Sequence, residues 1–481
     1  MSGSLPLDRA PWTVRRSRGL LDPDLRRAAT GATRRLQGSK EAAYAEYPQG
    51  EERRRRAVEA KRRAIRQLDA LLERLTGQVE ARGGHVFRAR GPEEVAGYVL
   101  EVARRRSARQ VVKSKSMATE EVELNARLEA GGLRVRETDL GEYIIQLAGE
   151  RPAHILAPAA HKSRAQVRRL FEREAREAGE APPAGESPEE LTAFARRRLR
   201  EEFLRAEIGI TGGNFLVAET GTLVLFTNEG NGRMVTSLPP VHIAVVGVEK
   251  VVATWEDLAD LIEQPPLSGV GQRLSSYVSL LSGPRHPGEL DGPEEFHLIL
   301  LDNGRSELLG TEFEDVLSCI RCGACLNACP VFRNVGGGHA YGSIYSGPIG
   351  VVLTPLLAGL EKAPELPKSL CSMCHACGEA CPMEIDLPGH ILRLRRQEAE
   401  RGLEPRGYAA MLALWSRLWS SPSGFVLSAR LGRLGQRAWE RDGRLTGGPG
   451  PFSAWFVGRD MAPLARESFH EWWRRNRGGA R

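Results

Sequence analysis

This 481-residue chain has no cysteine outside two short runs, and its eight thiols are bunched rather than spread along the chain. That bunching argues against a disulfide framework, which belongs to small secreted domains. No apolar stretch approaches the roughly 20 residues a membrane span needs, and the N-terminus lacks the basic, apolar, small-residue order of a secretory signal. A reducing, cytoplasmic setting is expected. Also missing is a G-x-G-x-x-G between a strand and a helix, which argues against a nicotinamide or flavin bound in the Rossmann manner. No motif of a nucleic-acid module occurs. Aromatic residues make up only 6% of the chain, yet six of the eight tryptophans fall after residue 400.

What the chain has is one motif written twice. Cys319, Cys322, Cys325 and Cys329 precede Pro330, and Cys371, Cys374, Cys377 and Cys381 precede Pro382, each as C-x2-C-x2-C-x3-C-P. That run binds a pair of 4Fe-4S clusters in bacterial ferredoxins, with the fourth cysteine of each run serving the other cluster. The two-residue spacers let three thiolates wrap three corners of a cubane, and the proline then turns the chain away. One ligand set is therefore expected to be Cys319, Cys322, Cys325 and Cys381, and the other Cys371, Cys374, Cys377 and Cys329. Structural zinc is the alternative, but it draws on pairs of ligands in four-ligand sets.

The length allows about two to four domains, and the 41% hydrophobic and 27% charged content is that of an ordinary globular protein. Residues 1–80 read as a helical basic arm, with Val58, Ile65, Leu68, Leu71, Leu72 and Leu75 marking an amphipathic face over Ala57–Leu75. The net charge of +7 is concentrated here, notably in Arg53 to Arg56. Asp22, Asp24, Glu41, Glu51 and Glu52 interrupt it, so a solvated face or a surface for an acidic partner is favoured over nucleic acid. Residues 81–304 alternate strands and helices, the pattern of an α/β domain with a largely parallel sheet. Strands are expected at 110–112, 133–136, 154–157, 215–217, 222–226, 242–246, 275–281 and 296–300. Helices are expected at 119–130 with Thr119 as cap, and at 163–174, 188–205 and 255–263, with a loop at 178–187. Residues 305–400 hold the cysteine runs in helical turns, and 401–481 form a Trp- and Arg-rich helical extension. In it Trp415, Leu418 and Trp419 share a face that either docks on a partner or membrane surface or packs against the cysteine region. Trp439, Trp455, Trp472 and Trp473 follow, with 447–451 as a linker.

Several longer strings resemble the lactate-utilisation iron-sulfur protein family, the B component of the bacterial three-part L-lactate oxidation system. They are Val112 to Met117, Glu137 to Ile144, Ala218 to Thr222, Thr227 to Asn231, Asp302 to Arg305 and Tyr341 to Tyr345. The resemblance spans roughly residues 60 to 400. It implies that about 70–300 form a lactate-utilisation domain of the sugar-phosphate isomerase and CoA-transferase (NagB/RpiA-like) type of α/β fold. It also implies iron-sulfur electron transfer from L-lactate, alongside two other subunits, a cysteine-rich-domain protein and a second lactate-utilisation-domain protein. Oxidising a 2-hydroxy acid removes two electrons, usually with a hydride, whereas a 4Fe-4S cluster changes charge by one. The primary oxidation is thus expected at a partner, with the clusters passing single electrons onward. Competing readings are an iron-sulfur subunit for another acid such as glycolate, a quinone-linked complex, or a self-sufficient enzyme acting on an acid or its CoA ester.

A small-molecule pocket is expected where the polar residues of these strings converge. Lys113 and Lys115 follow a strand, where open α/β sheets bind ligands. Asn228, Glu229, Asn231 and Arg233 occupy a Gly-punctuated loop whose N–H groups suit an anion. Glu219 has the place of the acidic residue in CoA-transferase-type sites, a fold-level analogy. His161, His242, His297 and His339 are scattered without i, i+4 ligand spacing and read as packing or surface residues. His375, inside the second run, either donates to sulfur or faces solvent.

Overall fold

Alternating side chains along each strand let one sheet feed a core on both faces. In the computed structural model, which describes residues 5–404, 406–448, 450, 453, 456 and 460–477, ten strands precede the cysteine runs. They are β1 (His85–Ala89), β2 (Gln110–Lys113), β3 (Arg134–Glu137), β4 (Ile208–Thr211), β5 (Phe215–Val217), β6 (Thr222–Thr227), β7 (Val241–Gly247), β8 (Val251–Val252), β9 (Tyr277–Leu281) and β10 (Glu295–Leu301). Six of them form a parallel sheet in the order β1-β10-β7-β4-β2-β3, and β8-β5-β6-β9 form a mixed second sheet. Val111, Ile243 and Ile299 bury against one face with Val95, Val99 and Leu128, while Ala244, Val246 and Leu298 turn to the other face with Leu72 and Leu75. Val112 meets Tyr143, Phe171 and Phe194 on that second side. The result is a sheet covered on both faces, as parallel sheets require.

Crossover helices supply the connections that parallel strands need. Pro92–Arg105 joins β1 to β2, and Arg164–Ala178 and Pro188–Arg205 lie between β3 and β4, the last two opened by Ser163 and Ser187 capping boxes. The strands expected from 110–112 through 296–300 are present within about two residues, with one exception. Residues 154–157 are not a strand. The ring of His154 accepts the Leu156 and Ala157 backbone N–H groups there, which folds the segment into a local turn instead. The expected helix at 119–130 is also split, into Met117–Glu121 and Leu124–Ala130, because Glu123 is left-handed (φ 48°), and its cap is Ser116 rather than Thr119.

The N-terminal arm is helical at Trp12–Leu21, Pro23–Ala45, Gly50–Arg66 and Leu68–Glu80, so the amphipathic stretch breaks once, at Gln67. Its arginines have partners within the chain: Arg53 pairs with Glu263, Arg54 with Glu384, Arg56 with Asp260 and Arg63 with Asp257. Arg53, Arg56 and Arg63 stay a third to a half exposed, so the face is solvated as expected and is also tied to the rest of the chain. The arm braces the sheet side through Tyr47 to Glu263 (2.9 Å), and the cysteine region through Lys40 to the Ala380 carbonyl (2.8 Å).

Met1–Glu400 is one unit and Arg401–Arg481 a second. In the second, helices Arg406–Trp419, Pro422–Gly435 and Phe469–Arg477 leave Trp415, Trp419, Trp472 and Trp473 two-fifths or more exposed, with the Trp415 and Trp419 rings 4.9 Å apart. Trp455 and part of the 447–451 linker lie outside the described residues. No helix of the described residues is long and apolar enough to cross a membrane.

Candidate functional site: two four-cysteine sites and a cavity at the sheet end

The two cysteine runs repeat the same local fold. Arg321 and Met373 are left-handed (φ 59° and 55°), as are Gly323 and His375 (φ 74° and 63°), and short helices Ala324–Ala328 and Ala376–Ala380 follow. Alternating handedness turns successive N–H groups inward, a backbone nest suited to an anion. The Met373 N–H lies 3.3 Å from Cys371 Sγ and the Phe332 N–H 3.4 Å from Cys329 Sγ. All eight cysteines are free thiols. Cys319, Cys322, Cys325 and Cys381 line one small cavity, and Cys329, Cys371, Cys374 and Cys377 line another. The fourth cysteine of each run thus sits with the first three of the other.

The thiols of each set cannot ionise together unaided. Burial, with the neighbouring thiolates adding to it, pushes Cys322 and Cys377 up to about 12 and Cys329 and Cys381 up to about 11. A multivalent cation centre between four such sulfurs removes that penalty, so both sets fit an iron-sulfur group chemically. They differ in setting. Cys322 and Cys325 are buried, whereas Cys374 and the neighbouring His375 are exposed.

Above the first set, at the carboxyl ends of β2, β4, β7 and β10, lies a cavity of about 320 Å3. The sheet reverses its direction of growth between β2 and β4, the place where open α/β sheets hold ligands. Its walls include Ser114 to Ser116 after β2, Gly212 to Asn214 after β4, Lys250 after β7, and Arg321 and Cys322 from the first cysteine run. Of the expected pocket residues, Lys115, Asn228, Glu229 and Asn231 line it.

Lys113, Glu219 and Arg233 do not. Lys113 is fully buried and committed to Glu120 and Glu137, each at 2.8 Å, and to the Thr119 hydroxyl. Glu219 accepts the Trp255 N–H (3.2 Å) at the start of helix Trp255–Leu261, and the Arg233 guanidinium lies over the Tyr277 ring. Glu229 keeps an exposed edge, but burial of its carboxyl, followed by the nearby Asp139 carboxylate, pushes it up to about 7.

A buried charge network that the sequence did not single out forms the cavity floor. Arg305 grips Glu121 through two nitrogens (2.8 and 2.7 Å) and reaches Glu249 at 2.6 Å, while the Tyr345 hydroxyl donates to Glu121 (2.6 Å). Burial raises Glu249, but Arg305, then Lys250 and Arg321, hold it down to about 2. Burial, reinforced by Arg321, lowers Lys250 to about 8. Arg305 and Tyr345 sat inside two of the family-like strings, the one signal that pointed toward them.

The histidines divide. His242 is buried in the sheet against Thr211 (2.8 Å), and burial, then His297, pushes it down to about 3. His297 bonds Tyr98 and Glu295. His154 bonds Asn327 beside the first run (3.2 Å), and Gly338 lets the Ala153 carbonyl approach where a Cβ would stand 2.5 Å from it. His161 and His339 are not scattered: with Glu150 they offer ligand atoms within 4.8 Å of one another. Lys162 pairs with Glu150 and the Arg151 carbonyl meets His339 Nε2, while the buried His161 Nδ1 has no hydrogen-bond partner among the described residues.

Comparison with known proteins covers nearly the whole chain. Residues 72–301 match the LUD domain, and residues 315–385 match the 4Fe-4S dicluster domain. Lactate utilization protein B of Shouchella clausii is 45% identical over 98% of both chains. The uncharacterized electron transport protein YkgF of Escherichia coli is 45% identical over 95% of this chain and 94% of its own. A crystal structure of a DUF162 family protein from Deinococcus radiodurans aligns with 49% of this chain and 98% of its own, at 16% identity and a TM-score of 0.27.

Proposed function

The chain belongs to the family of lactate utilization protein B, and from that premise we propose that it is an iron-sulfur electron carrier in the oxidation of L-lactate to pyruvate. The observation that carries this reading is the pair of four-thiol cavities, each built from both runs. Cys319, Cys322, Cys325 and Cys381 hold one 4Fe-4S cluster, and Cys371, Cys374, Cys377 and Cys329 hold the other. Each cluster supplies one-electron redox chemistry, so a pair can store the two electrons that leave a 2-hydroxy acid. The Met373 N–H of the second nest and the Phe332 N–H at the start of helix Pro330–Asn334 donate to ligand sulfurs and favour the reduced, more negative state. Cys374, exposed beside His375, gives the second set an edge from which electrons can pass to a partner surface.

The hydride-accepting step belongs to partner subunits, a cysteine-rich-domain protein and a second lactate-utilisation-domain protein, in the cytoplasm. The α/β domain, of the sugar-phosphate isomerase and CoA-transferase (NagB/RpiA-like) type, carries the cysteine region and presents the cavity to it. On this reading the domains run 1–80, 81–304, 305–400 and 401–481. Iron and acid-labile sulfide analysis of the anaerobically reconstituted chain should give about eight of each per chain. The isolated chain should not reduce a dye with L-lactate, and turnover should appear on adding the partners. Zinc without sulfide would end the reading, and so would pyruvate formation by the single chain.

A further inference from the structure

We propose that the cavity at the carboxyl ends of β2, β4 and β7 binds a small carboxylate anion, gripped by Arg321 and Lys250 against the first cysteine run. This deepens the reading above by assigning a ligand class to the α/β domain. Its test is separable, because cluster content and anion binding are measured independently.

The two cations are the under-committed charges of the wall. Arg305 is fully engaged by Glu121 and Glu249, and Lys115 is paired with Glu142 at 2.9 Å. Arg321 meets Glu249 only at 3.4 Å through Nη2, and its buried Nη1 has no hydrogen-bond partner among the described residues. Lys250 donates one N–H to the Cys319 carbonyl (3.2 Å). A buried guanidinium N–H without an acceptor is costly, and Arg321 borders both this cavity and the first cysteine set, so an anion here would share the guanidinium with the sulfurs of that set. The position in the second run equivalent to Arg321 is Met373, so the cation is not a requirement of the cysteine fold itself.

About 320 Å3 holds a short-chain acid with space left beside it. Glu229 and Asn231 also line the cavity and offer polar contacts for a second oxygen on the acid. The site also couples to electron transfer. An anion beside the first set repels added electrons there, and linkage makes the effect reciprocal: the anion binds more weakly when that set is reduced.

The test is calorimetric titration of the anaerobically reconstituted full chain with sodium L-lactate, pyruvate, propionate and inorganic phosphate at constant ionic strength. The expected result is saturable binding of the carboxylates, tighter for lactate or pyruvate than for propionate. Loss of one charge-assisted contact should weaken binding about tenfold or more in Lys250→Met and in Arg321→Gln, with Arg233→Gln unchanged. In a potentiometric titration followed by electron paramagnetic resonance, saturating anion should lower the midpoint of one cluster and leave the other in place. Should Arg321→Gln load iron poorly, Lys250→Met decides. Phosphate binding more tightly than every carboxylate, no saturable binding with clusters intact, or wild-type affinity in Lys250→Met would overturn the assignment. In each of those cases the iron-sulfur reading would still stand on its metal content.

Discussion

Replacing Arg305 with Met would strand two buried carboxylates at once. Glu121 and Glu249 are both about 2% exposed or less, and Arg305 joins them through three contacts of 2.6 to 2.8 Å. Removing one partner of a buried pair costs roughly 3–5 kcal/mol. Glu121 would keep the Tyr345 hydroxyl and the Asn303 amide, and Glu249 would keep Arg321, so the loss for both together is set at about 5 kcal/mol. With an unfolding entropy of about 2.1 cal/mol/K per residue over the unit Met1–Glu400, that is a fall of about 6 °C in apparent melting temperature.

The deficit should also depend on pH. Glu249 is held down to about 2 in the folded protein, below the roughly 4.3 of an unfolded glutamate, so its contribution is present above that value and fades as pH falls toward 2. Without Arg305 the folded carboxyls titrate higher, and protonation relieves the repulsion, so the variant's deficit should shrink between pH 7.5 and 5.5. Tyr345→Phe removes one hydrogen bond to a buried carboxylate and should cost about 1.5–3 kcal/mol. The assay is anaerobic circular-dichroism melting of wild type and variants at one scan rate, with iron content checked first. A fall of less than 2 °C for Arg305→Met, or a deficit that grows with acid, would refute the reasoning.

Other expectations follow from the same geometry. Cys329→Ser should disturb the spectrum of the cluster assigned to Cys371, Cys374 and Cys377; a change confined to the other cluster would contradict the crossed assignment. Gly269→Ala places a methyl 2.5 Å from the Cys322 carbonyl and 2.8 Å from Leu156. It should cost about 1–3 kcal/mol and slow loading of the first set, as melting and iron analysis would report. Ser187→Ala removes the cap of helix Pro188–Arg205 and should lower stability by about 1 kcal/mol while leaving iron content unchanged, by melting and metal analysis.

Much of the molecule is local information. The spacing of each cysteine run, the caps at Ser163 and Ser187 and the β-branched strands act within a few residues, and such patterns read directly from the chain. His154–Ala157 misled because a side chain there bonds its own backbone, which composition does not reveal. Lys113 and Lys115 look alike as charges at a strand end, yet burial beneath Glu120 and Glu137 consumes the first and leaves the second in the cavity wall. Only tertiary packing brought Lys250 and Arg321 to one wall and His161 beside His339. The chain alone determined which atoms can hold metal and which segments can form strands, since those depend on neighbours in sequence. Which cations are left uncommitted was decided by the fold, because a charge is spent or free according to partners that arrive from far along the chain.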